Sequence, residues 1–303
     1  MAVPKSSERS GIAYALGAYI TWGFLTIYWK FLKDFNAFEL IGWRIVTSAV
    51  VLLAILMYNK QIRNLISALR DKSVRKTIAL ASIMLSINWT TYVWAVVHDH
   101  VLETALGYFI APIFTMLLGF IVLREPIRVS HRIIILLASI AIAILTYSYG
   151  QPPWRALLIA TSWSIYGYLK KQVPLTSLES LSGEVIALLL PAVGLVVLTF
   201  NRADSVPNMA TGIEWALVLL TGLMTAIPLL MFGAASRRVR LSVLGPMQYL
   251  VPTFNFLLGW LVYNEELNAL RVVGFAFVWV GLAIFFADSY KATKLMAKQQ
   301  PKP

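Results

Sequence analysis

The chain contains no cysteine, which excludes a disulfide framework and a thiolate metal site. Charge is also scarce: Asp, Glu, Lys and Arg are 13% of its 303 residues, against about 25% in a soluble domain. Acid is scarcer than base, with 14 Asp and Glu facing 26 Lys and Arg. Histidine occurs at His98, His100 and His131 alone. Each sits at the edge of an apolar run, so none is placed as a buried proton relay. No H-E-x-x-H, G-x-S-x-G or Walker A sequence occurs, so zinc-protease, serine-hydrolase and ATP-driven chemistry lack their residues. An enzyme is therefore not expected, and no cofactor or metal is called for. A cleavable leader is not expected either, because the short polar N-terminus runs into an apolar stretch long enough to stay in a membrane.

What is present is apolar. Hydrophobic residues make up 59% and mean hydropathy is +0.73. Ten apolar runs stand out, at 11–31, 37–58, 77–98, 102–123, 133–149, 153–169, 176–199, 215–236, 241–263 and 272–289. Each approaches the length a helix needs to cross a hydrocarbon core of about 30 Å. The expected fold is all-α and integral to the membrane, with ten transmembrane helices. The net charge of +12 resembles a nucleic-acid footprint, but the basic residues are sorted by topology. Twenty Lys and Arg fall on one side of the ten runs, among them Lys60, Arg63, Arg70, Lys72, Arg75 and Lys76, and five fall on the other: Lys30, Lys33, Arg155, Arg202 and Arg271. Arg44 lies inside a run. By the positive-inside rule both termini are expected in the cytoplasm of a cell whose inner, or plasma, membrane holds the chain. The expected partners are the lipid bilayer and a small molecule, not nucleic acid. A monomer suffices, and the sequence leaves the oligomeric state open.

The same pattern occurs twice. Pro112-Ile-Phe-Thr-Met-Leu-Leu-Gly119 with Glu125 recurs as Pro252-Thr-Phe-Asn-Phe-Leu-Leu-Gly259 with Glu265, at a constant offset of 140. Five spans per half put the second copy into the membrane from the opposite side. The expectation is two inverted five-helix repeats, 1–150 and 151–303, the second ending in a basic tail. The turn signal Tyr149-Gly-Gln-Pro-Pro153 joins them. Inverted repeats around a midplane site are how many secondary transporters acquire two interconverting faces. The basic stretch 59–76 is either a short surface helix or a loop, and the tail beyond Tyr290 is expected to be frayed.

These residues resemble the drug/metabolite transporter superfamily in its ten-span EamA group. Trp22-Gly23, the "glycine, aliphatic run, Glu" endings at Glu125 and Glu265, and Gly274 with Gly281 carry that resemblance. Ile134 and Ala141 stand where the first half would hold the last two glycines. Tyr14-Ala-Leu-Gly-Ala-Tyr-Ile-Thr-Trp-Gly-Phe24 and Glu39-Leu-Ile-Gly-Trp-Arg44 are similar to the RarD family, labelled chloramphenicol-sensitive or chloramphenicol-resistance permeases. The resemblance covers essentially the whole chain. It implies alternating access and export of a small organic metabolite or drug, with antibiotic resistance as the family's label and not as something a residue here encodes. A passive facilitator without ion coupling and, from another class, a channel are the alternatives. A sparsely charged, aromatic interior suits a channel poorly.

Ionisable residues within a span are functional candidates, because burying a charge there is costly. Arg44 and Glu184 lie 140 apart, each about two turns into its span. The sharper reading has Arg44 holding an acidic group or pairing with Glu184, and Glu184 acting as a protonation site for coupling. The plainer reading has both snorkelling to the headgroups. Pro112 and Pro252 interrupt matched spans and mark a kink or gate. Tyr108 and Thr115 share the face of Pro112, and Gln248 and Asn255 share that of Pro252; tight packing through Gly and Thr is the plainer account. Asn88 and Tyr92 share a face of the third run, and Trp163 and Tyr166 a face of the sixth, the latter continuing to Lys170. With Trp22 they are expected to line a cavity for a planar amphipathic molecule. Trp29, Trp154 and Trp215, near span ends, are expected in interfacial belts, and Trp279 in packing. Glu39 and Glu179, also 140 apart, are candidate gate residues or simply first-turn acids that suit the helix dipole.

Overall fold

The computed structural model describes residues 5–123, 129–236, 238 and 247–299, and among them there is no strand. Glu125, Gly245 and Pro246 lie outside the described residues. The helices are α1 Lys5–Lys30, α2 Ala37–Tyr58, α3 Ile62–Ala68, α4 Lys72–Val97, α5 Val101–Leu123, α6 Val129–Tyr149, α7 Trp154–Lys171, α8 Ser177–Thr199, α9 Val206–Met209, α10 Gly212–Ser236, α11 Leu250–Leu257 and α12 Ala269–Gln299. A π-helical turn, Leu258–Val262, prolongs α11. Among the described residues six helices are long and apolar enough to cross a membrane: Arg9–Lys30, Ala37–Tyr58, Lys72–Val97, Arg132–Tyr149, Ser177–Thr199 and Gly212–Phe232. Val101–Thr115, Leu250–Val262 and Ala269–Ile284 are shorter apolar stretches.

Local chemistry explains where the helices begin. The Asn36 side chain accepts from the amides of Phe38 and Glu39, and Asp71 from those of Ser73 and Val74. Thr176 and Glu179 form a reciprocal capping box. Each of these satisfies amide groups that a helix start leaves without a partner. Asn36 and Thr176 are 140 apart, as are the first residues of α2 and α8, of α4 and α10, and of α6 and α12. The basic stretch holds α3, a surface helix that buries Leu65 against Gly183 of α8. The segment after Tyr290 is not frayed as expected: α12 continues through it to Gln299. Its Lys, Ala, Leu, Met and Gln are good helix formers.

Packing repeats the same offset. α4 lies against α7 and α8, and the helices 140 residues later, α10 against α1 and α2, do likewise. α5 against α7 has its counterpart in α11 against α1, while α2 with α8, α5 with α11 and α6 with α12 pair across the two halves. Small residues permit the closest approaches. A Cβ on Gly222 of α10 would stand 2.5 Å from the Thr47 carbonyl of α2. There Thr47 and Thr221 bond hydroxyl to hydroxyl at 2.8 Å. A Cβ on Gly107 of α5 would meet the Ala156 carbonyl of α7 at 2.9 Å. Such contacts are the usual substitute for the hydrophobic effect between helices in lipid.

Candidate functional site

A cavity of about 450 Å³ lies between α1, α2, α4, α5, α7, α8, α10 and the start of α11. Its wall is rich in aromatic side chains, Trp22, Trp89, Tyr92, Tyr108, Trp163 and Tyr166 among them. Its charged wall residue is Arg44, which is 4% exposed. The guanidinium lies 4.1 Å over the Trp89 ring and 5.4 Å from the Trp29 ring. Its Nε donates to Thr225 at 3.0 Å, and its Nη1 has no hydrogen-bond partner among the described residues. No carboxylate stands within ion-pair distance of it there. A buried cation is normally matched by an anion; here Nη1 is itself sealed off, and the residue reaches the cavity wall through its other atoms.

A polar layer closes one end. Thr26 bonds the Tyr92 hydroxyl at 2.9 Å and donates to Asn255 Oδ1 at 2.8 Å, while Asn255 Nδ2 donates to Thr104 at 3.4 Å. Thr26, Thr104 and Asn255 are fully buried. Within α1 and α11, Thr26 and Asn255 lie beyond the last cavity-lining residues, Leu25 and Pro252. Further out, Lys30 pairs with Asp99 and lies 4.8 Å over Tyr263. Glu265 accepts from the Val101 and Leu102 amides at the start of α5, where a helix N-terminus favours an anion. Burial outweighs those two bonds and pushes the Glu265 carboxyl up to about 7.

A second polar cluster sits at the opposite end. Glu184 of α8 is fully buried and accepts from Lys170 at 2.7 Å, Ser180 at 2.7 Å and Tyr166 at 2.9 Å. Tyr166 therefore joins the cavity wall to a buried ion pair.

Comparison with known proteins settles the family. The EamA-like transporter family's sequence profile matches residues 9–147 and again 154–287. The chain belongs to the EamA-like transporter family. Within it, the chain falls among the RarD proteins of the drug/metabolite transporter superfamily. Protein RarD of Streptomyces exfoliatus is 40% identical over 96% of this chain and 92% of its own. Protein RarD of Escherichia coli K12 is 33% identical over 96% and 98%. The uncharacterized transporter YojE of Bacillus subtilis 168 is 32% identical over 94% and 96%. A crystal structure 17% identical covers 94% of this chain and 99% of its own at a TM-score of 0.59, which shows the fold alone. The chain is thus a multi-pass membrane transporter.

On this EamA-like frame the residues singled out in the sequence separate into groups. Trp22, Arg44, Asn88, Tyr92, Tyr108, Thr115, Trp163, Tyr166 and Gln248 all line the cavity. Asn88 does so with its amide engaged, donating to the Ile159 carbonyl at 3.1 Å and accepting from Tyr108 at 3.1 Å. Thr115 donates to Ser164 at 3.0 Å. Asn255 departs from expectation: it lies in the closing layer and not on the cavity wall. Arg44 and Glu184 do not pair, because Lys170 is nearer to the carboxylate and takes it. Neither residue snorkels, since both are buried. Pro112 lies within the continuous α5, whereas Pro252 lies in the first turn of α11, where a helix tolerates it. Both line the cavity. Glu39 accepts from the Trp43 indole and the Val206 amide, and Glu179 from Asn64 and the Thr176 amide. Each acid ties a helix start to a neighbouring short helix, away from the cavity.

Trp29 is not at an interface: it is 1% exposed beneath Arg44. Trp154 is half exposed, as a belt residue should be. Trp215 stacks edge-on against Trp43, and Trp279 packs on Phe256 and Phe275. Sequence reasoning missed Thr225; it placed Thr26 on the face of Trp22, Lys170 on that of Trp163 and Tyr166, and Trp89 beside Asn88, without naming them as site residues. Trp89 had a usable signal, lying one residue from Asn88 and three from Tyr92. Thr225 had none, because only the packing of α10 on α2 brings it to Arg44.

Proposed function

We propose that this transporter is a ten-span secondary carrier for small organic anions, built as two inverted five-helix repeats that rock about the central cavity. The observation that carries this reading is Arg44, a buried guanidinium on the wall of a cavity rich in aromatic side chains, with no carboxylate within ion-pair distance among the described residues. Arg44 binds the acidic group, and Trp22, Trp163 and Tyr108 cover the planar body. Gln248, exposed on the wall, fixes orientation. The matched helix starts and exchanged contacts at an offset of 140 support the two repeats, as does the twofold match to one family profile. Charge sorting supports cytoplasmic termini and the inner membrane. The Thr26–Tyr92–Asn255 layer then lies at the outer end, and the Lys170–Glu184 cluster at the cytoplasmic end. The working direction is export.

A thermal-stability screen of the purified protein tests the substrate class, using aromatic carboxylates, amino acids, nucleosides and amphenicols in large excess. A ligand that binds the folded state alone stabilises it by about 2.7 kcal/mol at a hundredfold excess over its dissociation constant. Carboxylates are expected to raise the melting point. Arg44→Ala is expected to weaken them at least tenfold, about 1.4 kcal/mol, and to leave neutral ligands unchanged. Equal loss for every ligand would make Arg44 a folding residue. Coupling is assigned to Glu184. Glu184→Gln is expected to abolish accumulation driven by a pH gradient while downhill flux persists, and loss of both modes or of neither overturns that role.

A further inference from the structure

The charges around the cavity do not cancel, and that imbalance bears on the mode of transport. The Lys170–Glu184 pair is internally neutral. Lys30 is matched by Asp99, and Glu103 by Arg155 at 2.7 Å. Glu39 accepts from two neutral donors, the Trp43 indole and the Val206 amide, at the start of α2 and away from the cavity wall. Arg44 is left, with the Trp89 and Trp29 faces, the Thr225 hydroxyl and no acid within ion-pair distance among the described residues. The wall of the empty cavity therefore presents one cation with no acid against it among the described residues. The matched residue 140 positions on is Glu184, so the second half completes an ion pair where the first leaves a cation open.

From this we infer that the protein is an exchanger of monoanions, in which the empty carrier reorients slowly and the loaded carrier quickly. While one end is open, water entering the cavity solvates the part of Arg44 that lines it. Passing between the two faces requires both ends to close. The empty carrier must then hold a bare cation in a small aromatic chamber without its hydration, which low dielectric opposes. A bound monocarboxylate cancels the charge, so the loaded cavity closes as a neutral unit. Flux of one anion inward is thereby tied to flux of another outward, and net flow of a single anion, the pH-driven accumulation and downhill flux above included, is limited by the slow return of the empty carrier. This rests on Arg44 facing an alternating cavity, as proposed above.

The test needs no substrate, because a chain without cysteine accepts a single reporter. Val251 lines the cavity, and Val251→Cys is labelled with a membrane-impermeant maleimide added outside washed, right-side-out vesicles. Labelling requires the Thr26–Tyr92–Asn255 layer to open, and its rate reports reorientation of the empty carrier. Arg44→Gln is expected to raise the rate at least tenfold, and Arg44→Lys, which keeps the charge, to leave it within twofold. Thr225→Asp sets a carboxylate against the guanidinium in place. It is expected to raise the rate like Arg44→Gln, and it decides the matter if Arg44→Gln fails to fold. Unchanged rates in the neutralising variants, or equal acceleration by Arg44→Lys, overturn the exchange mode and leave the alternating cavity standing. No labelling from outside in any variant overturns the alternating cavity, and the exchange mode with it.

Discussion

Arg44 and Glu184 occupy matched positions two turns into α2 and α8, yet the surroundings separate their roles. Glu184 has three donors, one of them the Lys170 ammonium. Arg44 has one hydroxyl and two indole faces. Which partner is removed should therefore matter. Lys170→Met leaves a fully buried carboxylate without its cation and is expected to cost about 3–5 kcal/mol. Glu184→Gln leaves an ammonium whose side chain is 25% exposed, which can turn to water, and so should cost less. Melting temperatures of the two purified variants check the order. A larger loss in Glu184→Gln would mean that Lys170 is the residue held in place by the pair.

At the scale of elements, hydrogen-bonding side chains fix how helices meet at their ends. Glu265, just beyond the π-helical turn that closes α11, holds the first amides of α5. Its carboxyl stands at about 7, raised by burial from 4.5, so between those values the folded chain keeps a proton that the unfolded chain releases. Its contribution to stability is complete below about 4.5 and is lost as pH rises through about 7. The melting temperature is therefore expected to fall between about pH 5 and about pH 8, and to fall less in Glu265→Gln. Equal slopes for the two proteins would remove Glu265 from the account. At the other ends, Asn36, Asp71 and the Thr176–Glu179 box do the same service for α2, α4 and α8.

For the molecule as a whole, the cavity lies between a hydrogen-bonded layer at one end and an ion-pair cluster at the other. If the layer of Thr26, Tyr92 and Asn255 must part in each cycle, tethering it should stop transport while leaving the cavity intact. Thr26→Cys combined with Asn255→Cys, bridged by a short bifunctional thiol reagent, is expected to lose flux of a bound carboxylate. The ligand-induced thermal shift should survive. Flux that persists after complete bridging would place the moving boundary elsewhere.

Much of this was legible in the sequence. Low charge and long apolar runs dictate helices that satisfy their own backbone groups in lipid, and the offset of 140 anticipated the starts of α2 and α8 alongside their caps. Nine of the ten substrate-binding candidates line one cavity because helical spacing alone puts Asn88 with Tyr92, and Trp163 with Tyr166, on shared faces. The partners of those residues were not legible. Lys170 was legible as a cytoplasmic-side charge on the face of Tyr166, but its pairing with Glu184 of α8 was not. Trp29 sits near the end of its helix, as an interfacial residue would, yet the approach of α2 buries it under Arg44. Asn255 has the face of a binding residue, yet the crossing of α1 over α11 spends it on Thr26. Composition and period decide which residues lie on which helix face; which face meets which is decided where backbones come close enough to touch. Only the packed structure shows that the buried Arg44 stands on a cavity wall with no acid within ion-pair distance among the described residues.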